Sequence, residues 1–186
     1  MSKRGWILIG SALPVLALFA LLAWASAQSR GNSGGFGVNA EFGEVEASSN
    51  QAADFSLELM TGGTVTLSEL RGNVVMVDFW SSWCPFCIAE MPDFQKVSQA
   101  AGDRVEFIGV NLQDDAGLAD DLRIETGITY RVTRDPRGVV YAAFGGIAMP
   151  TTVFIDANGI VREVVTGQMS EDRLTAKIAE HFSIGV

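Results

Sequence analysis

Val74-Val75-Met76-Val77-Asp78-Phe79-Trp80 runs through Ser81-Ser82-Trp83 into Cys84-Pro85-Phe86-Cys87, and this stretch decides how the chain is read. Val74 to Trp80 is a continuous apolar run broken only by Asp78, the pattern of a strand covered on both faces. From Pro85 to about Ala101 the periodicity turns helical, with Ile88, Met91, Phe94 or Gln95, and Val97 or Ser98 at core spacing. Cys84 therefore stands where a buried strand passes into a helix. Two intervening residues put both cysteines on one helical turn, close enough to bridge. At the first turn, unpaired backbone N–H groups and the positive end of the helix dipole favour a thiolate on Cys84. Cys87, one turn in, is more shielded and suited to resolve a mixed disulfide.

Other uses of the pair have less support. A zinc site needs further ligands, but the chain has 2 cysteines, and its 1 histidine, His181, lies in the last predicted helix. A purely structural bridge closing so short a loop contributes only about 2 kcal/mol. No metal and no cofactor is implied, and the context argues for redox work by the thiols.

Outward from this stretch, Phe55 to Met60 and Thr64 to Leu67 flank Gly62-Gly63 as a hairpin. Val105 to Leu112 reads as a second buried strand, and Leu118 to Thr126 as a short helix. An extended piece follows around Tyr130 to Thr133, then a turn at Asp135-Pro136-Arg137-Gly138. Thr151 to Ile155 and Ile160 to Thr166 are strands joined by Ala157-Asn158-Gly159. Ser170 is placed to cap a last helix that runs to about Phe182. The order β-α-β, a βα insert, then ββα implies an α/β fold with a mixed central sheet and helices on both faces.

The N-terminus is set apart. Lys3 and Arg4 precede an uncharged stretch from Gly5 to Ala27, which as a helix reaches about 34 Å and exceeds the roughly 30 Å hydrocarbon core. Residues 1–27 are thus expected to be a transmembrane anchor, or a signal peptide cleaved after Ala25-Ser26-Ala27. The basic end stays inside, so the domain is expected on the extracytoplasmic side, either on a single-pass anchor or exported and soluble. Residues 28–50, rich in Gly, Ser, Asn and Ala, read as a flexible linker, with the folded domain over 51–186. The 22 acidic residues against the 11 basic ones that follow Ala27 leave the exported part at −11. Such a surface repels phosphate backbones and excludes nucleic acid as a partner.

Trp80-Ser81-Ser82-Trp83-Cys84-Pro85-Phe86-Cys87 resembles the active-site segment of the thioredoxin superfamily, and the match extends to Glu90, Pro92 and Met149-Pro150-Thr151. The early hairpin with Leu67-Ser68-Glu69-Leu70-Arg71-Gly72, the insert between residues 113 and 145, and the turn from Asp156 to Gly159 resemble the TlpA/ResA/CcmG group of membrane-tethered thiol–disulfide oxidoreductases. That resemblance covers about residues 53–182. It implies a thioredoxin-like three-layer sandwich with an N-terminal hairpin and a central insertion. It further implies a cis peptide at Pro150 facing the cysteines, with the Met149 backbone free to pair with a bound peptide. Trp83, Pro85, Phe86, Met149 and Thr151 are then expected to contact substrate, with Trp83 and Phe86 in an apolar rim and Trp80 either in that rim or in the core alone. Pro92 resembles the superfamily's kink proline.

Asp78 and Glu90 are the candidate proton carriers. A carboxylate within an apolar strand has a raised pKa and can accept the Cys87 proton. Glu90 lies about one helical turn beyond Cys87 and is placed for the same work. Thioredoxins proper resemble this chain at Asp78, and the cytochrome c maturation group resembles it at Glu90. The resemblance implies a reductase of exported protein disulfides, such as apocytochrome c cysteines, recharged by a membrane electron donor. Two other activities remain open: a peroxiredoxin-type peroxidase, although Val77 stands where that loop has a proline, and a copper-binding thiol module.

Overall fold

The computed structural model describes residues 44–46 and 51–186, so the segment expected to be an anchor and most of the expected linker lie outside the described residues. At the centre of the sheet is β4 (Val74–Trp80), which pairs in parallel with β5 (Val105–Leu112) and antiparallel with β7 (Thr151–Ile155). β6 (Arg131–Asp135) extends the parallel side, while β8 (Val161–Thr166) and then β1 (Glu44–Glu46) extend the antiparallel side. The order across the six-stranded sheet is β1-β8-β7-β4-β5-β6. β1 lies within the stretch read as linker, so the sheet begins before residue 51 and its β8 edge is covered. β2 (Ser56–Glu58) and β3 (Thr64–Thr66) form the expected hairpin as a separate two-stranded sheet.

Side chains alternate across the pleat and divide the core in two. Val75, Val77 and Phe79 of β4 pack with Ile108, Val110, Val153 and Ile155 beneath the hairpin residues Phe55, Val65 and Leu67. Val140 and Phe144 of the short helix α3 (Val139–Ala143) complete this face. On the opposite face Met76 packs with Phe107, Phe154 and Val165 against Phe94 and Val97 of α1 (Pro85–Ala101) and Leu174 and Ile178 of α4 (Glu171–Phe182). α2 (Ala116–Thr126) adds Ala119 to the cluster that holds the cysteines. The result is the mixed, helix-covered sandwich expected, with α3 as an element the sequence reading passed over.

Local signals account for the element ends that position the site. Ser170 Oγ accepts from the Arg173 amide and caps α4. The turn between β7 and β8 closes on Gly159, whose φ of +76° lies in the left-handed region that glycine tolerates. At Gly138 (φ +69°) the chain leaves the Asp135 turn and enters α3.

Candidate functional site

Cys84 is the N-cap of α1, with Pro85 in the first turn, where a missing N–H costs nothing. The two cysteines are joined, with an S–S distance of 2.08 Å and a Cα–Cα distance of 5.3 Å. The Cys87 amide donates to Cys84 Sγ at 3.2 Å, so the helix start presents a donor to that sulfur. After reduction, the same amide and the helix dipole favour a thiolate on Cys84. The sulfurs are not equivalent: Cys84 is 4% exposed and borders a surface cleft, whereas Cys87 is 0% exposed, against Trp80 and Met91.

The cleft has a volume of about 400 Å³. One wall is Trp83, Cys84, Pro85 and Phe86, and the other includes Ile147, Ala148 and Met149. The Met149–Pro150 peptide bond is cis, as the resemblance implied. Trp83, Phe86 and Ile147 are 63%, 61% and 82% exposed, so an apolar rim surrounds the sulfurs. The loop before Pro150 is held from within: the Ala148 carbonyl accepts from Tyr141 Oη at 2.8 Å and Thr151 Oγ1 at 2.6 Å. Tyr141 is itself seated by Asp135, whose buried carboxylate accepts from the Val139, Val140 and Tyr141 amides. A Cβ on Gly146 would stand 2.1 Å from the Tyr141 ring, so the loop can lie on that ring only with glycine there.

Beneath the helix lie the acids. Asp78 shares its sheet face with Met76 and Trp80, the side on which α1 packs. It is buried, and neither carboxylate oxygen has a hydrogen-bond partner among the described residues. Glu90 is also buried; its Oε2 accepts from the Met169 amide at 2.8 Å, while Oε1 has no partner. Burial raises both pKa values, and for Glu90 the nearby Asp78 adds to the rise. The Asp78 charge thus bears on the ionisation of Glu90, so the two acids are considered together as a pair.

A third acid holds the turn leading into Cys84. Asp114 accepts from the Ser82 amide, from Ser82 Oγ at 2.7 Å, from Asn111 Nδ2 at 2.8 Å and from the Asp115 amide at 2.9 Å. Burial pulls its pKa up, but these hydrogen bonds from Ser82, Asn111 and Asp115 outweigh it and leave it lowered. A lowered folded-state pKa contributes stability above the unfolded value, lost as pH falls through the folded one. Asp114→Ala is expected to destabilise the domain by about 1–3 kcal/mol at pH 7. The difference from wild type should shrink below pH 4, which urea melts at both pH values measure.

The structure brings Cys84, Cys87, Trp83, Pro85, Phe86, Met149 and Pro150 together around one cleft, and it buries Glu90 on the same helix stripe as Cys87 and Asp78 on the sheet face that this helix covers. One expectation is corrected and one open alternative is decided. Thr151, read as a substrate contact, is fully buried and spends its hydroxyl on the Ala148 carbonyl, so it shapes the loop from inside. Trp80, for which rim and core were both open, is fully buried because it points into the α1 face of β4. Ile88, placed at core spacing, is only half-buried; the buried stripe of α1 runs through Cys87, Glu90, Met91 and Phe94. Sequence reasoning missed Tyr141, Ile147, Gln113 and Asp114. Gln113 lines the cleft with φ at +45°, a conformation its residue type does not announce. Asp135 closes β6 and Asp114 lies two residues past β5, and that placement is the one available signal.

A cysteine pair at the strand-to-helix junction of this sandwich, facing a cis-proline loop, defines a thioredoxin-like thiol–disulfide oxidoreductase of the ResA/DsbE type. The sequence matches the Redoxin family over residues 47–181, and the chain belongs to that family. It is 38% identical over 128 residues to the thiol-disulfide oxidoreductase ResA of Oceanobacillus iheyensis, which covers 66% of this chain and 67% of that protein. Among solved structures, a secreted Mycobacterium tuberculosis disulfide oxidoreductase homologous to E. coli DsbE aligns with a TM-score of 0.63 at 29% identity, covering 68% of this chain and 95% of that one. A DsbF homologue from Corynebacterium diphtheriae aligns with a TM-score of 0.72 at 25% identity, covering 80% and 99%.

Proposed function

We propose that this protein is an extracytoplasmic protein-disulfide reductase, tethered through residues 1–27 and acting on exported proteins such as apocytochromes c. The asymmetry of the two sulfurs is the observation that carries the reading: Cys84 at the helix start beside the cleft, Cys87 sealed behind it among Trp80 and Met91. In this scheme the Cys84 thiolate attacks a substrate disulfide, forming a mixed disulfide and releasing one substrate thiolate. Cys87 then gives its proton to the Asp78–Glu90 pair and attacks Cys84 Sγ. The second substrate thiolate leaves, and the two electrons of the dithiol have passed to the substrate. The rim of Trp83, Phe86 and Ile147 and the Met149 backbone hold the substrate segment as an extended chain. A membrane donor of thioredoxin-reducing type restores the dithiol.

Export is supported by the uncharged N-terminal stretch and by the likeness to a protein described as secreted. Likeness to ResA and to a DsbE homologue supports the oxidoreductase chemistry on which the substrate assignment builds. The equilibrium reduction potential of the Cys84–Cys87 pair tests the direction. A value near or below about −270 mV, that of reducing thioredoxins, is expected, and one near about −120 mV, that of a strong oxidant, overturns the reductase assignment.

A further inference from the structure

Tyr130 stands between the acid pair and the outside. Its ring lines an open groove of about 360 Å³ together with Ser98, Gly102, Glu106, Thr129 and Arg131. Its hydroxyl is buried and has no hydrogen-bond partner among the described residues. Gly109, the β5 partner of Asp78, makes this arrangement fit: a Cβ there would stand 3.1 Å from both Tyr130 Cε2 and Trp80 Nε1. Without that Cβ, the phenol ring and the indole lie over the strand position beside Asp78.

The atoms around this point share a property. Both Asp78 oxygens, Glu90 Oε1, Trp80 Nε1, Tyr130 Oη and Thr152 Oγ1 are buried with no hydrogen-bond partner among the described residues. Thr152 is the β7 partner of Asp78, as Gly109 is its β5 partner, so these positions flank the carboxyl in the sheet. Folded proteins rarely leave buried polar groups unsatisfied, and internal water is the usual partner of such groups where no protein atom serves.

We propose that Tyr130 is the inner gate of a hydrated proton path that joins the outer groove to the Asp78–Glu90 pair. The inference rests on the reading of that pair as the base for Cys87. A proton taken from the Cys87 thiol must leave before the next turnover, and both Asp78 carboxylate oxygens are buried away from solvent. Through bridging water, the Tyr130 hydroxyl donates to the ionised carboxylate, and the proton leaves along the same waters to the groove. The charged groups about Tyr130 are Asp78 from β4, Glu90 from α1, Glu106 from β5 and Arg131 from β6, with Asp103 at the groove mouth. Glu106 and Arg131 pair with each other at 3.3 Å, so the outer rim adds little net charge. The inward side is acidic, and both carboxyls act on the Tyr130 hydroxyl.

The test is the pH profile of mixed-disulfide resolution in Tyr130→Phe, which keeps the ring and the packing but removes the hydroxyl. Loss of its hydrogen bond leaves the pair protonated to higher pH. The profile is expected to move up by about one pH unit, equivalent to about a ten-fold slower rate below the midpoint, with an unchanged alkaline plateau. The carboxyl carbonyl band in the infrared, followed against pH in the oxidised protein, should move by the same amount without any turnover. A profile and band that superimpose on wild type overturn the proposal, as does a uniform fall in rate with no displacement, which marks a packing role alone. Asp78→Asn separates the two readings. If it resolves at the wild-type rate, the base assignment itself fails; if it is slow while Tyr130→Phe matches wild type, only the gate fails.

Discussion

Cys84→Ser is expected to reduce protein disulfides no faster than the uncatalysed background, and Cys87→Ser to stop after one half-reaction with substrate covalently attached to Cys84. The asymmetry follows from position. Cys84 caps α1 beside the cleft and receives the Cys87 amide at 3.2 Å, so it is both reachable and stabilised as a thiolate. Serine has neither the nucleophilicity nor the redox chemistry, and no other cysteine can replace it in a chain with 2. Cys87 is sealed among Trp80, Met91, Ile128 and Val132, where a substrate protein cannot reach but the neighbouring Sγ can. Insulin reduction and mass spectrometry of the trapped adduct measure the two outcomes. A trapped adduct on Cys87 in the Cys84→Ser protein, rather than on Cys84 in the other variant, would reverse the assigned roles.

Asp78→Asn is expected to pull activity and stability in opposite directions. With Asp78 gone and Glu90 held protonated at neutral pH by its own burial, Cys87 loses its ready proton acceptor, and resolution should slow by about 10²-fold, the lower range for lost general base catalysis. The sign of the stability effect follows from the raised pKa. The folded protein holds a proton on the pair that the unfolded chain releases above about pH 4, so the native state binds more protons there. That contribution is complete below the unfolded pKa and is lost as pH rises toward and through the folded one. Stability of the wild-type domain should therefore fall from pH 5 toward pH 8. Asn carries no proton to lose, so the variant should be flatter with pH and more stable near pH 8, by on the order of 2 kcal/mol. Guanidinium melts at several pH values measure it. A variant less stable than wild type at pH 8 would show that burial of the carboxylate is compensated by hydrogen bonds to bridging water.

The nucleophile region was legible because it rests on local rules. A buried apolar run, a two-residue cysteine spacing and a proline at a helix start depend on near neighbours in the chain. β4 and α1 accordingly run over Val74–Trp80 and Pro85–Ala101, the bounds their patterns suggest. β5, β7 and α4 behave likewise, because each carries its own apolar period or cap. Helix α3 was not legible: it is five residues long, with no periodicity of its own, and its start is held by the Asp135 carboxylate from the preceding strand. Thr151 differs from its expected role, and Trp80 takes the core rather than the rim, for a related reason. A residue beside an active-site motif faces the cleft or the core according to the pleat phase and the loop path, neither of which a motif encodes.

The cysteine pair, its place at a strand-to-helix junction and the mixed sheet behind it can be read from the chain alone, because backbone periodicity and helix-end electrostatics are local. Folding alone brings the Asp78 charge to bear on Glu90 and raises the Glu90 pKa. The two acids lie on different elements, and their interaction depends on the face of β4 on which α1 packs and on what else is buried there. The tertiary structure also decided that Tyr130, reached through the missing Cβ of Gly109, lies between that pair and the outer groove. Charge coupling in a low-dielectric interior depends on distance through space, and the packing of the sheet sets that distance.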